Sequence, residues 1–446
     1  MILDSKALLD GDVTTLDDLF RRAGVRHPAA LALIDPPNRS QFAGGAPRRL
    51  SFSEADRAIS ALAARLRTLG LSTDTQVAIQ LPNTVESVIA MLGVLRAGMV
   101  PVLLPLLWRR QEMVAALSRV GVKAIITCAR TGAAAQAEVA MQVAADLFPV
   151  RFVCGFGDGL PDGMVPLDDV FRSARADLAQ APRRVGNPAT HTAVVTFDMA
   201  AGGPVAVMRH HRDLITAGRT IVSEGSLAPD GSLLSTIPVS SFAGLSLALL
   251  PWLLTGGALS LHHGFEPTAF AQQSRGQKAI IVPGPMLGSL TAAGLLGDAT
   301  VLALWRAPEP LAASPPWQGT GNLVDVEAFN DTAMTASLRG PDGLPAPPDA
   351  GWPPRGGMVA VGGYAFVQEE IDATVAKANP QAIIVALPDA LLGQRYAGSA
   401  PENAAVRAEL DARGVNPLVT EAFRTRMPVN AAQSTVPVDA LLRAAG

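Results

Sequence analysis

Apolar positions along the first third of the chain switch repeatedly between two spacings, and each switch marks an element. From Phe52 onward, Ala55, Ile59, Leu62, Ala63 and Leu66 recur at helical spacing while Arg57, Arg65 and Arg67 lie off that stripe, which predicts a helix packed on a core. Ser51-Phe52-Ser53-Glu54 supplies its start, a hydroxyl and a carboxylate spaced to satisfy the first free N–H groups, and Gly70 supplies its end. Gln76–Leu81 is then a short apolar strand, Pro82-Asn83 a turn, and Val85–Arg96 a second helix closed by Gly98. Val100–Leu104, Gln111–Val120 and Lys123–Thr127 continue as strand, helix and strand. Such alternation implies parallel strands joined by crossover helices, hence an α/β fold with both sheet faces covered and sites beyond the carboxyl ends of the strands.

Towards the C-terminus the pattern breaks at Arg339–Gly357, RGPDGLPAPPDAGWPPRGG, where prolines and glycines sustain neither a helix nor a central strand. Beyond it, Gln368–Ala378 reads as a helix, Ala382–Leu387 as a strand and Glu402–Arg413 as another helix. The expected organisation is a large multilayer α/β domain over 1–338, a linker over 339–357 and a small α+β domain over 358–446.

One run could cross a bilayer by length alone: Ser240–Leu261 has no charged residue and is rich in leucine. Pro251 and the Gly256-Gly257 pair divide it, which favours a buried helix, a turn and a short strand. No membrane span is therefore expected. With 446 residues, 49% of them hydrophobic, the chain can bury large cores. A net charge of −3 gives no basic footprint for nucleic acid. Cys128 and Cys154 are the only cysteines, too few for a disulfide framework or a Cys-rich zinc site, and the N-terminus lacks a basic region leading into an apolar stretch. A cytoplasmic location is expected, and no metal site.

The candidate chemistry centres on Phe197, Asp198, Met199, Ala200, Ala201, Gly202, Gly203, Pro204 and Val205. A strand over His191–Thr196 leads into a Gly-Gly-Pro turn and then a helix starting near His210–Leu214, the wiring of a phosphate loop. Such a loop aims N–H groups, hydroxyls and a lysine ammonium at phosphate oxygens. Here Ala200 and Ala201 offer no hydroxyl, Val205 no charge, and Asp198 the wrong charge. Taken alone, the stretch also reads as an ordinary connection.

In order and spacing, these landmarks resemble the adenylate-forming superfamily, which includes acyl- and aryl-CoA synthetases. The resemblance rests on Leu50–Glu54, Leu81-Pro82-Asn83, Leu95–Pro105, Pro238–Gly244, Gly256–Leu261 and Phe265-Glu266-Pro267. In the small domain it rests on Gly362-Gly363-Tyr364, Glu369-Glu370-Ile371, Leu387-Pro388-Asp389 and Gly393. It implies a fold in which a carboxylic acid attacks ATP to give an acyl-adenylate, after which the small domain rotates and a thiol, usually of CoA, takes the acyl group.

Set against that family's motifs, this chain departs at separate places. In the phosphate loop only Gly202 and Pro204 match, and Val205 replaces the lysine. The adenine and Mg²⁺ motif falls on Phe329, Asn330, Asp331, Thr332 and Ala333, where Phe329 could stack on adenine but Ala333 has no oxygen for the hard cation. The ribose-clamping aspartate and the hinge have no counterpart between Trp352 and Gly362. Met427–Thr435 occupies the place of the terminal glycine-lysine pair without a lysine.

The expected function is thus a degenerate acyl-CoA synthetase-like protein that binds an acyl-type or carboxylic-acid ligand or a protein partner. One alternative is an active carboxylic acid–CoA ligase using a rewired site, in which ATP, Mg²⁺ and CoA would be cofactors and Asp198 and Asp331 would share a metal. Another is a regulatory subunit, as a homodimer or with an active synthetase. By the same resemblance, Ser240, Ser241, Phe242, Leu245 and Trp305 are candidates for an acyl pocket, their alternative being core packing. His211 is expected to cap or pack, and His262-His263 to lie at the surface.

Overall fold

The computed structural model describes residues 13–172, 184–306, 311–328, 330–346, 357–389 and 391–424. Phe329, Trp352, most of the proline-rich linker and Met427–Thr435 lie outside the described residues. The chain folds into two units: Met1–Leu106 with Leu117–Thr196 and Ala206–Phe265, and Leu107–Ala116 with Phe197–Val205 and Glu266–Gly446.

The first unit holds strands β1 (Leu31–Ile34), β2 (Arg49–Ser51), β3 (Gln76–Ile79), β4 (Val100–Leu103), β5 (Ala124–Cys128), β6 (Phe152–Phe156) and β7 (Val165–Pro166). It also holds most of β8 (Thr192–Ala200) and β9 (Gly203–His210), then β10 (Leu233–Ser235) and β11 (Leu259–Leu261). One sheet runs β7-β6-β5-β3-β4-β8-β9. Its pairs β3–β4, β3–β5, β5–β6, β6–β7 and β4–β8 are parallel. Helices Val85–Arg96 and Gln136–Asp146 connect β3 to β4 and β5 to β6, the crossover wiring that the alternation predicted. A second set is parallel through β10, β11 and β1 and ends in antiparallel β2.

Local chemistry sets these elements. Ser51 Oγ accepts from the Glu54 N–H and the Glu54 carboxylate accepts from the Ser51 N–H, so both ends of the capping box are closed at the start of helix Phe52–Thr68. The long apolar run is core: Phe242–Gly244, a π-helical turn Leu245–Leu249 and Leu250–Thr255 are continuous, and β11 follows. Gly256, at φ +82°, ends the helix in the left-handed region. Trp252 is fully buried beside the Phe20 and Phe52 rings, at 5.8 and 6.1 Å between centroids, and its indole donates to the Gly257 carbonyl. Full burial of each leucine here contributes about 1.5–3 kcal/mol, which is why the run belongs inside. Among the described residues no helix is long and apolar enough to cross a membrane.

The first unit also buries a charge network. Arg39 reaches Asp35 at 2.7 Å and grips both Glu86 oxygens at 2.6 and 2.8 Å, while Arg48 joins Glu86 and Asp168. Burial pushes the Glu86 carboxyl up, but hydrogen bonds and charge from Arg39, with the charge of Arg48, outweigh it and hold the group below its usual range.

In the second unit, β12 (Ala279–Pro283), β13 (Thr300–Trp305) and β14 (Leu323–Glu327) are parallel, and β15 (Thr335–Leu338) is antiparallel to β14. Two antiparallel pairs follow, β16 (Met358–Val361) with β17 (Tyr364–Val367) and β18 (Ile383–Asp389) with β19 (Gly393–Ser399). They share a core, including Val361, Phe366, Ile384, Tyr396 and Phe423, with Val375 of helix Gln368–Ala378 and Leu410 of helix Asn403–Ala412.

Candidate functional site

The segment matched to the phosphate loop has the expected strand, turn and later helix, but a second strand follows the turn and makes it a hairpin. Strand β8 continues through Phe197, Asp198, Met199 and Ala200, the chain turns at Ala201-Gly202, and β9 carries Gly203, Pro204 and Val205 on to His210 before helix His211–Glu224 begins. Gly202 and Gly203, at φ +88° and +101°, provide the positive dihedrals that the reversal requires.

The side chains along this hairpin have different surroundings. Phe197 is buried with its ring 5.4 Å from that of Trp108. Asp198 is also buried, and its Oδ1 accepts from the N–H groups of Met199 at 2.9 Å and Asp331 at 3.4 Å. The turn residues Ala201 and Gly202 are exposed, Pro204 is buried and Val205 is 44% exposed. The Gly202 N–H donates to Oε1 of Glu370 at 2.6 Å.

Asn330, Asp331, Thr332 and Ala333 form a compact turn. The Asn330 side-chain oxygen accepts from the Thr332 N–H, the Thr332 hydroxyl and the Ala333 N–H. Asp331 is buried and Ala333 exposed. Asp198 and Asp331 are thus brought together, with Arg306 as their cationic neighbour. Burial lowers the pKa of the Arg306 guanidinium, opposed by the charges of Asp331, Tyr364 and Asp198. The same side chain donates to the Ala328 carbonyl at 3.1 Å. Burial pushes the Tyr364 hydroxyl up to about 12, against a hydrogen bond from the Leu107 backbone and the charges of Arg306 and Arg109.

Glu112 extends this polar tract. Burial raises its carboxyl to about 7, opposed by the Arg109 N–H at 3.0 Å, the Arg109 charge and the Asn416 side chain. Among the described residues no group of three or more His, Cys, Asp or Glu side chains gathers as a cation site.

The candidate acyl-pocket residues divide between the units. Ser240, Ser241, Phe242 and Leu245 belong to the first. Ser241 Oγ accepts from the Gly244 N–H as a helix cap, Leu245 is fully buried in the π-helical turn, and the Arg209 guanidinium lies 3.5 Å from the Phe242 ring centroid. Trp305, in the second unit, is a buried core residue: its indole donates to Asp325 at 2.8 Å, and Arg339 holds the same carboxylate at 2.6 Å.

The histidines partly depart from expectation. His211 is buried and its Nδ1 accepts from the Leu16 N–H, so it packs and caps as expected. Burial, with the nearby charges of Arg184 and His191, lowers its pKa to about 3. His262 is also buried, contrary to the surface position expected of the pair, and its carbonyl accepts from Asn83. His263 packs on the Phe42 ring at 4.7 Å between centroids, and burial pulls it down to about 4.

Arg306 and Glu370 were not among the site candidates read from the sequence. Arg306 directly follows the carboxyl end of β13, the position at which α/β folds carry sites, so it could have been found. Glu370 was read only as part of the Glu369-Glu370-Ile371 landmark; its contact with the turn spans 168 residues and has no local signal.

Parallel strands with crossover helices define an α/β protein with helices joining the strands of its sheet. The chain belongs to the AMP-binding enzyme family, whose sequence pattern matches residues 20–283. It is 36% identical over 89 residues, 20% of this chain and 15% of the relative, to the salicyl-AMP ligase / salicyl-S-ArCP synthetase of Mycobacterium tuberculosis. With the 2-hydroxy-7-methoxy-5-methyl-1-naphthoate–CoA ligase of Streptomyces carzinostaticus it shares 25% identity over 255 residues, 56% of this chain and 44% of that protein. Each match therefore spans less than half of the relative's length. The fold is similar to that of apo Mycobacterium smegmatis MbtA, with a TM-score of 0.60 and 20% identity over 96% of this chain and 94% of that one. It is equally similar to the anthranilate CoA ligase AuaEII, crystallised with anthranoyl-AMP: TM-score 0.60 and 14% identity over 90% of both chains.

Proposed function

We propose that this chain is an acyl-CoA synthetase-like member of the AMP-binding family that no longer forms adenylates and instead binds an acyl-type ligand or a protein partner, in the cytoplasm. In this reading, residues 1–338 are the ligand-binding body, 339–357 the linker and 358–446 the small domain.

The observation that carries the reading is the buried carboxylate of Asp198, which lies on the hairpin a phosphate would approach and accepts the N–H groups of Met199 on that hairpin and of Asp331. An incoming phosphate meets a like charge, and at about 4 Å and an effective dielectric near 20 that repulsion costs about 4 kcal/mol. Val205 supplies no compensating cation and Ala333 no oxygen for a metal. The residues present do not fit a magnesium nucleotide.

ATP–pyrophosphate exchange across a panel of carboxylic acids tests the reading. Exchange at the no-protein background is expected, and clear turnover with any acid defeats it. Ligand binding is read separately: fatty acids of graded length should raise the melting temperature by mass action.

A second reading has one observation in its favour, the adjacency of Asp198 and Asp331. The two carboxylates would share Mg²⁺ in a rewired ligase, although Arg306 already brings positive charge to both. Mg²⁺-dependent ATP binding that disappears in Asp198→Ala would favour it.

A further inference from the structure

The outward face of the hairpin turn already carries an anionic ligand, and the chain itself provides it. Gly202 lies at φ +88° with its N–H directed at the Glu370 carboxylate, 2.6 Å away. A Cβ added at Gly202 would meet nothing within 4 Å, so the turn is open on that side. The distance is at the short end for N–H to an ionised oxygen, the stronger class of hydrogen bond.

Glu370 reaches the turn from a well-anchored element. It lies in the first turn of helix Gln368–Ala378, whose first residue donates its N–H to the Gly357 carbonyl at 2.9 Å. The Gln368 side chain donates to Asp372 and accepts from the Tyr396 hydroxyl. The Glu370 carbonyl accepts from the Thr374 hydroxyl, and Val375 is buried in the core shared with Phe366 and Tyr396. The Glu370 side chain itself is exposed, but the helix turn that carries it is anchored.

We propose that the Gly202 turn is a carboxylate-binding site filled in cis by Glu370, so that Glu370 acts as a built-in competitor for any anion approaching the hairpin. One N–H cannot serve two negatively charged acceptors, and an external phosphate or carboxylate must first displace the internal one. The contact also ties the start of helix Gln368–Ala378 to the hairpin, so displacement would free both. The inference rests on the same reading of the hairpin as the proposed function, but its test does not depend on turnover.

Hydrogen–deuterium exchange of the peptide covering 197–205 and calorimetric titration with inorganic pyrophosphate provide that test, using the full chain. Glu370→Gln keeps the side chain's shape and removes its charge, Glu370→Ala removes the group, and Glu369→Ala is the control on the same helix turn. Both Glu370 variants should exchange faster in this peptide, and pyrophosphate should bind about tenfold more tightly than to the parent, equivalent to one modest charge-assisted hydrogen bond. Unchanged exchange and affinity in both Glu370 variants, or the same changes in Glu369→Ala, would overturn the proposal. Adenylate formation by the parent chain would defeat the proposed function while leaving these readings intact.

Discussion

Two clusters of charge in this molecule follow opposite logic. Around Arg39 in the first unit, each buried charge meets a partner of opposite sign at short range: Asp35, Glu86, Arg48 and Asp168 form a closed set. Around Asp198 in the second unit, the carboxylate accepts from the Met199 and Asp331 N–H groups, and the Arg306 guanidinium is a positive neighbour of both Asp198 and Asp331. The first cluster binds strands and helices of the scaffold to one another. In the function proposed above, the second sets what the hairpin can accept from outside. On the function proposed above, packing constrains the first cluster and the chemistry of the hairpin is what distinguishes the second.

The largest expected effect breaks the first cluster. Glu86→Ala leaves Arg39 buried without its bidentate acceptor, and removing one partner of such a set costs about 3–5 kcal/mol. Denaturant unfolding should show this as a lower midpoint. A midpoint within error of the parent would mean that the network is dispensable.

A smaller effect comes from pH. His211 titrates near 3 when folded and at an ordinary value near 6.5 when unfolded, so the unfolded chain takes up the proton first. The stability attached to the neutral ring is present above about 6.5 and is lost as pH falls towards 3. Between pH 7 and pH 5 that loss is about 2 kcal/mol. Glu112 has the opposite sign: its raised folded pKa, about 7, contributes stability that is full below its ordinary range near 4.5 and lost as pH rises through 7. His211→Asn, which keeps an acceptor without a titrating ring, should flatten the acid limb, and Glu112→Gln the neutral limb. Unfolding midpoints measured from pH 4 to 8 would separate them.

The smallest effect lies at the hairpin. Val205 is 44% exposed, so Val205→Lys should change stability by no more than about 0.5 kcal/mol. Thermal unfolding checks this; a cost comparable to that of Glu86→Ala would erase the contrast between framework and site.

Most of the framework was legible because short-range physics writes it. The Ser51–Glu54 capping box and the helices Val85–Arg96 and Gln368–Ala378 lie where their residues predict. Strand β9 was not foreseen, and its composition explains why: Val205 and Met208 face solvent while Arg209 is buried, the reverse of the usual alternation. His262 misled for a related reason, since a polar residue takes a buried place where Asn83 bonds its carbonyl. At the site, the absence of hydroxyls and lysine from Phe197–Val205 could be read directly. What stands in their place could not, because the contact of Asp198 with Asp331 and that of Gly202 with Glu370 join residues far apart in the chain.

The most direct measurement is a crystal structure of the chain grown with saturating Mg-ATP. The account predicts no nucleotide at the hairpin, with the Glu370 carboxylate still on the Gly202 N–H and Asp198 Oδ1 still accepting from the Met199 backbone. A triphosphate seated beside Gly202, with Glu370 displaced and a magnesium ion held by Asp198 or Asp331, would contradict it.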